Sequence, residues 1–226
     1  MRLHLFSLCS VPRREEGVST TTTSNIIHQL SVCRAGTWTG GHARVRLSLM
    51  EYRDGLGIYE PHNGTDWELN MFKQALAQLH NTGLQICAHC IGDAAADLVL
   101  EAYEGAMNAN PRSDPRHCLE HVILTKPHTT QKIKDLGVVV STNPAFVYLF
   151  GDGWENIFGS ERMARIMVTK EWLQAGIHVT IGSHAPSTSF YTPRATLAGA
   201  CTRQTYSQRV IGIEHRLTLL EVLRAH

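Results

Sequence analysis

From Asp66 onward the chain alternates between two kinds of apolar pattern, and this alternation limits its possible folds more than any other feature. Residues 66–80 carry Leu69, Phe72, Leu76 and Leu79 on one face at helical spacing, and Asn81 and Gly83 end the run. Leu84, Ile86 and Ala88 then alternate with Gln85 and Cys87 at a period of two, the mark of a short strand, and His89 stands where that strand should stop. Gly92 permits a tight turn, and Asp93 is placed to cap a helix running to Met107, with Leu98, Val99, Ala102, Tyr103 and Ala106 facing inward. After a polar, proline-bounded loop over residues 108–115 the pattern recurs. Residues 116–122 read as a strand, and residues 127–136 as a helix with Pro127 in its first turn and Gly137 beyond its end. Residues 138–142 form a β-branched strand that stops at Asn143-Pro144, and residues 146–160, rich in Gly, Phe and Trp, read as a long loop. A helix over 161–174, a fourth strand over 177–182 and helices over 196–204 and 218–225 complete the chain. Strands separated by helices pair in parallel through helical crossovers. The expected fold class is therefore α/β, with four βα units that suit either half of a (β/α)8 barrel or a doubly wound open sheet. No GxGxxG or phosphate-loop motif opens a helix, so a nucleotide fold has no support.

The segment before Asp66 reads differently. Residues 1–36 hold the polar tract Ser19-Thr20-Thr21-Thr22-Thr23-Ser24 and no clear period, so they are expected to be poorly ordered or foreign to the domain formed by residues 37–226. Residues 44–49 alternate Val45, Leu47 and Leu49 with Arg44, Arg46 and Ser48, a possible strand. With 226 residues the chain can bury a sizeable core, yet falls short of the ~250 typical of a complete eight-unit barrel. Its net charge of +1 leaves no basic surplus to neutralise phosphates, which argues against a nucleic-acid partner. No apolar run approaches membrane-spanning length. The six cysteines are irregularly spaced, unlike a secreted disulfide framework, and the apolar residues 3–11 make a poor signal peptide, so a cytoplasmic location is expected.

The 13 histidines are the compositional oddity. Three of the four strand candidates end in one: His89, His121 and His184. In a parallel barrel the C-terminal strand ends converge on one face, where barrel enzymes keep their chemistry. Neutral imidazoles from different strands suit zinc and similar divalent metals. The competing reading is coincidence in a histidine-rich chain. His117 and His121 are four apart and share a face, but His117-Cys118-Leu119-Glu120-His121 is not the HExxH protease motif, and His117 reads better as a packed group. Cys87-Ala88-His89-Cys90 is formally a CxxC, yet redox pairs usually sit at a helix N-terminus and Cys87 falls inside a strand. Asp93 suits a helix cap better than a catalytic acid. Asp152-Gly153-Trp154, in the expected loop, could belong to a lid or substrate loop, or be exposed and mobile.

Four ordered motifs carry a family resemblance. His89-Cys90-Ile91-Gly92-Asp93-Ala94-Ala95 resembles the "HAIGDxA" signature of amidohydrolase family 3, within the metal-dependent amidohydrolase superfamily. Arg116-His117-Cys118-Leu119-Glu120-His121 is similar to its "RHxIEH", and residues 136–144, ending in Ser141-Thr142-Asn143-Pro144, to its "LGVxxSxQP". Residues 175–186, ending in Gly182-Ser183-His184-Ala185-Pro186, are similar to its "AGVxVxxGSDxP". The resemblance implies a distorted (β/α)8 barrel, of which this chain would hold the C-terminal half, about strands 5 to 8. It implies hydrolysis of carbon–nitrogen bonds in small-molecule amides or cyclic amides. It carries His89 and His121 over as ligands of a divalent metal, with zinc the first choice. His184 stands where the family has a catalytic aspartate. The family's HxH motif has no counterpart, since no two histidines stand two apart, and its bridging lysine precedes the matched region whereas the first lysine here is Lys73. The chain is thus expected to be a truncated member, either active or a non-catalytic remnant, whose open barrel edges favour self-association.

Overall fold

The computed structural model describes residues 33–34, 42–47, 66–185, 188 and 192–225. The expectation for residues 1–36 lies outside these, apart from Cys33 and Arg34. Six strands form one sheet: β1 (Cys33–Arg34), β2 (His42–Leu47), β3 (Gln85–Cys90), β4 (Cys118–His121), β5 (Val139–Thr142) and β6 (Val179–Ile181). Their spatial order is their chain order, β1 pairing antiparallel with β2 and every later pair running parallel. A doubly wound sheet reverses its strand order at a switch point. The described strands show no reversal, so that alternative falls.

Helices cross between the strands: α1 (Asp66–Asn81), α2 (Asp93–Ala109), α3 (Thr129–Asp135), α4 (Ala145–Met163), α5 (Thr169–Gln174), α6 (Pro193–Thr202) and α7 (Leu219–Ala225). One sheet face buries Ile86, Ala88, Cys90, Leu119, Val140, Val179 and Ile181 against Phe72, Leu76, Val99, Tyr103, Ile133, Trp172 and Val222 of the helices. Each fully buried large apolar side chain there contributes roughly 1.5–3 kcal/mol. The Tyr103 hydroxyl lies within hydrogen-bonding distance of the carbonyls of Ile86 and Cys118, at 3.2 and 3.1 Å, tying α2 to two strands. Strand alternation sends Cys87 and His89, with Cys118 and Glu120 beside them, to the other face.

Two sequence expectations are corrected. Residues 146–160 are not a loop but most of α4, which kinks at Gly159 where φ is +76°. Phe146, Phe150, Trp154 and Phe158 recur every fourth residue and contact one another in turn, with ring centroids 5.2, 5.8 and 5.9 Å apart. Gly151, which argued for a loop, permits close packing: a Cβ there would stand 2.7 Å from Thr205 Cγ2. The expected helix over 161–174 is two pieces, the end of α4 and α5, joined by a turn at residues 164–167. Arg203, 1% exposed, fixes that turn by donating to the carbonyls of Ile166, Met167 and Ile211 at 2.6, 3.1 and 2.9 Å. A second apolar cluster, including Ile123, Leu124, Phe146, Val147, Met167 and Ile211, lies beyond the ends of β4 and β5.

Candidate metal centre

The structure brings together the three histidines that the strand ends singled out. His89 is the penultimate residue of β3, His121 the last of β4, and His184 follows β6 by three residues. The His121 ring centroid is 4.6 Å from that of His89 and 4.9 Å from that of His184, both in edge-to-face contact. His121 is buried, while His89 and His184 are half-buried.

This convergence depends on unusual backbone. Strand parity would send His121 toward the helices with Leu119. Its φ of +75°, followed by +47° at Val122, turns the chain so that the ring meets His89 instead. His184 has φ +57°. Left-handed backbone costs a non-glycine residue roughly 1–2 kcal/mol, and such residues gather where function holds them. Hydrogen bonds from Val122 N–H to the Cys90 carbonyl and from Gly182 N–H to the Thr142 carbonyl, each 2.9 Å, continue the ladder into this region. The Thr142 hydroxyl donates to the His121 carbonyl at 2.9 Å.

Asn143 sets the state of the central ring. Its Nδ2 donates to the Gly182 carbonyl at 3.0 Å, which orients the amide and leaves Oδ1 2.5 Å from His121 Nδ1. An amide oxygen only accepts, so Nδ1 carries the His121 proton. Nε2 of the neutral ring then bears the lone pair that a metal requires. Phe146 stacks on His121 with centroids 5.7 Å apart and meets His184 edge-on at 5.1 Å, forming an apolar wall on one side. Sequence reasoning did not single out Asn143 or Phe146. The available signal was the place of Asn143 directly after β5, in Ser141-Thr142-Asn143-Pro144.

The other candidates fall elsewhere. His117 is buried at the N-terminal end of β4, a packed group as expected. Asp93 is the first residue of α2 rather than its cap, a place held by Gly92, and its Oδ1 accepts from the Ala94 N–H at 2.9 Å. Cys87 and Cys90 lie on opposite faces of β3, and burial, aided by the negative charge of Glu120, pushes the Cys90 thiol pKa far up. A redox pair needs a depressed pKa, so the CxxC reading fails. Asp152 lies in α4 and accepts from the Ser207 N–H at 2.8 Å and hydroxyl at 2.6 Å, which holds the helix to the segment after α6. No described helix is long and apolar enough to cross a membrane.

Comparison with known proteins agrees with this architecture. N-substituted formamide deformylase of Arthrobacter pascens is 26% identical over 149 residues, covering 64% of this chain and 26% of its own length. Protein LONG AFTER FAR-RED 3 of Arabidopsis thaliana is 33% identical over 111 residues, 49% of this chain and 18% of its own. The chain thus spans about a quarter or less of these relatives. In fold it resembles metal-dependent hydrolases of Pyrococcus furiosus, with a TM-score of 0.60 at 22% identity, and Pyrococcus horikoshii OT3, with 0.61 at 20%. Each likeness covers 79% of this chain and, respectively, 34% and 35% of the other. The model of the amidohydrolase family matches residues 29–226, most of the chain and all four ordered motifs. The chain belongs to amidohydrolase family 3.

Proposed function

We propose that the chain carries about strands 5 to 8 of a (β/α)8 barrel and part of a metal-dependent centre that hydrolyses carbon–nitrogen bonds other than peptide bonds. The observation that carries this reading is the convergence of His89, His121 and His184 at the C-terminal end of parallel strands. The unbroken strand order suits a barrel segment. A relative named for deformylating N-substituted formamides supports a small amide or cyclic amide as substrate.

The donors fit a divalent metal of intermediate softness, zinc first, because neutral imidazoles are its usual nitrogen ligands. His89 and His121 would hold it, and the Asn143-fixed tautomer presents His121 Nε2 as the donor. Such an ion supplies Lewis acidity, polarising a carbonyl and making water more acidic. His184 takes the family aspartate's place: its imidazole accepts the proton of the attacking water and returns it to the departing amine nitrogen. Phe146 keeps water from one side of this pair. A cytoplasmic setting, with free thiols at Cys87, Cys90, Cys118 and Cys201, and self-association along the β6 edge belong to the same proposal.

A second reading, a member that binds metal without turnover, draws on the absence of any HxH pair from the 226 residues. Metal content and turnover of N-substituted formamides and cyclic amides separate the two. The hydrolase reading expects His89→Ala and His121→Ala to lose metal and activity together, and His184→Ala to keep metal but lose turnover. Bound metal with no turnover above a metal-free control favours the second reading. Equal metal content in wild type and both ligand variants defeats the two alike.

A further inference from the structure

Below the histidines lies a second group of metal-binding side chains of different chemistry. Cys87 and Cys118 face each other directly across the parallel ladder of β3 and β4, and Glu120 follows Cys118 on the same sheet face. Their potential ligand atoms, two Sγ and a carboxylate oxygen, all lie within 4.8 Å of one another. Around a tetrahedral ion with metal–sulfur bonds of ~2.3 Å, neighbouring sulfurs stand about 3.8 Å apart. Closing onto an ion therefore requires movements of an ångström or less from each side chain. Both cysteines are buried, at 8% and 4% exposure, and Glu120 is half-buried. The Ser141 hydroxyl donates to Glu120 Oε2 at 2.8 Å and orients the carboxylate from the next strand.

We propose that Cys87, Cys118 and Glu120 form a cation site for a soft, thiophilic divalent ion of the cadmium type, separate from the histidine centre. Cys87 precedes His89 by two residues, which puts the two layers about 6–7 Å apart along the strand. Softness divides the ions between them. Thiolates favour soft, cadmium-like ions, whereas the imidazoles above suit ions of intermediate softness, zinc first. On binding, each S–H bond breaks as its S–metal bond forms, the protons leave to solvent, and no electron is transferred. The site stands whether or not the chain is a hydrolase, because it uses none of the proposed catalytic groups.

The test is titration of the full 226-residue chain with cadmium chloride under a phosphine reductant. The expected result is an ultraviolet sulfur-to-cadmium charge-transfer band that saturates at one equivalent. Cys87→Ser and Cys118→Ser lose it, while Cys201→Ala, His89→Ala and His121→Ala keep it. Since serine at a buried position could unfold the chain, alkylation of the wild type gives a second readout. Cadmium should slow labelling of Cys87 and Cys118 at least tenfold and leave Cys201 unchanged. Absence of the band, its survival in Cys87→Ser, its loss in the histidine variants, or equal labelling with and without cadmium would each overturn the proposal. Turnover plays no part in these outcomes, so this idea and the hydrolase reading fail separately.

Discussion

Acid should loosen this fold through one buried imidazole. His117 is 1% exposed and stands just before β4, at the end of the sheet opposite the candidate metal centre. Its Nδ1 receives the Ile86 N–H at 3.1 Å, its Nε2 lies 2.8 Å from His80 Nδ1, and His80 Nε2 lies 2.7 Å from the Asn110 carbonyl. A carbonyl only accepts and a backbone N–H only donates, so every proton in this relay is assigned. His80 carries its proton on Nε2, His117 on its own Nε2, and both rings are neutral with each nitrogen partnered. A second proton on His117 would have to sit on Nδ1, facing the Ile86 N–H. Burial first, then the neighbouring His80 and Arg112, lower its pKa from the usual 6.5 to about 4. Between those two values the unfolded chain binds the proton that the folded chain refuses. Stability is therefore complete above pH ~6.5 and falls as pH drops toward ~4, by ~2 kcal/mol at pH ~5. Urea unfolding followed by circular dichroism at pH ~7.5 and ~5 measures the loss. His117→Gln keeps one acceptor and one donor but cannot titrate, so the variant should lose ~2 kcal/mol less than wild type over that interval. Equal losses in the two proteins would refute the assignment of the proton relay.

Two further substitutions follow from buried hydrogen bonds. Asn143→Leu removes the acceptor that fixes the His121 tautomer and should weaken divalent-metal affinity ~10–100-fold in chelator competition, with Asn143→Asp recovering part of it; an unchanged affinity in the leucine variant counts against the proposed ligand. Arg203→Met leaves three carbonyls without their charged donor and should cost ~3–5 kcal/mol by urea unfolding, whereas a loss below ~1 kcal/mol would show that water replaces the guanidinium. Burial lowers the Arg203 pKa to about 10, so the group stays charged at neutral pH and its desolvation is offset by those carbonyls.

The parallel sheet was legible because it rests on periodicity. Each described parallel strand after β2 shows a short apolar or β-branched run, and each stops near a residue that the pattern marks, such as Asn143 after β5. Helix α4 was not legible because composition misled. Gly151, Gly153 and Gly159 lower helix propensity and argue for a loop. Tertiary contacts prevail over that preference. Gly151 is small because Thr205 packs against it, and the Phe146, Phe150, Trp154 and Phe158 series supplies the side-chain contacts that a helix gains at four-residue spacing. The same four-residue aromatic spacing is present in the sequence and opposes the glycines there.

The candidate metal centre shows a different limit. Strand-end position was enough to choose His89, His121 and His184, yet it does not explain why their rings meet. Alternation alone places His121 on the helix side of the sheet, and only the left-handed turn over His121 and Val122 reverses that. Neither residue is glycine, so nothing in the local sequence announces a positive φ there. What holds the turn comes from strands distant in sequence: Val122 N–H bonds the Cys90 carbonyl, Thr142 bonds the His121 carbonyl, and Asn143 bridges the His121 ring to Gly182. The ring is therefore aimed by β3, β5 and the segment after β6 together. This gives a physical reason for the motifs to run together through the chain: a strand-end histidine without the neighbouring strand ends would keep its identity and lose its direction.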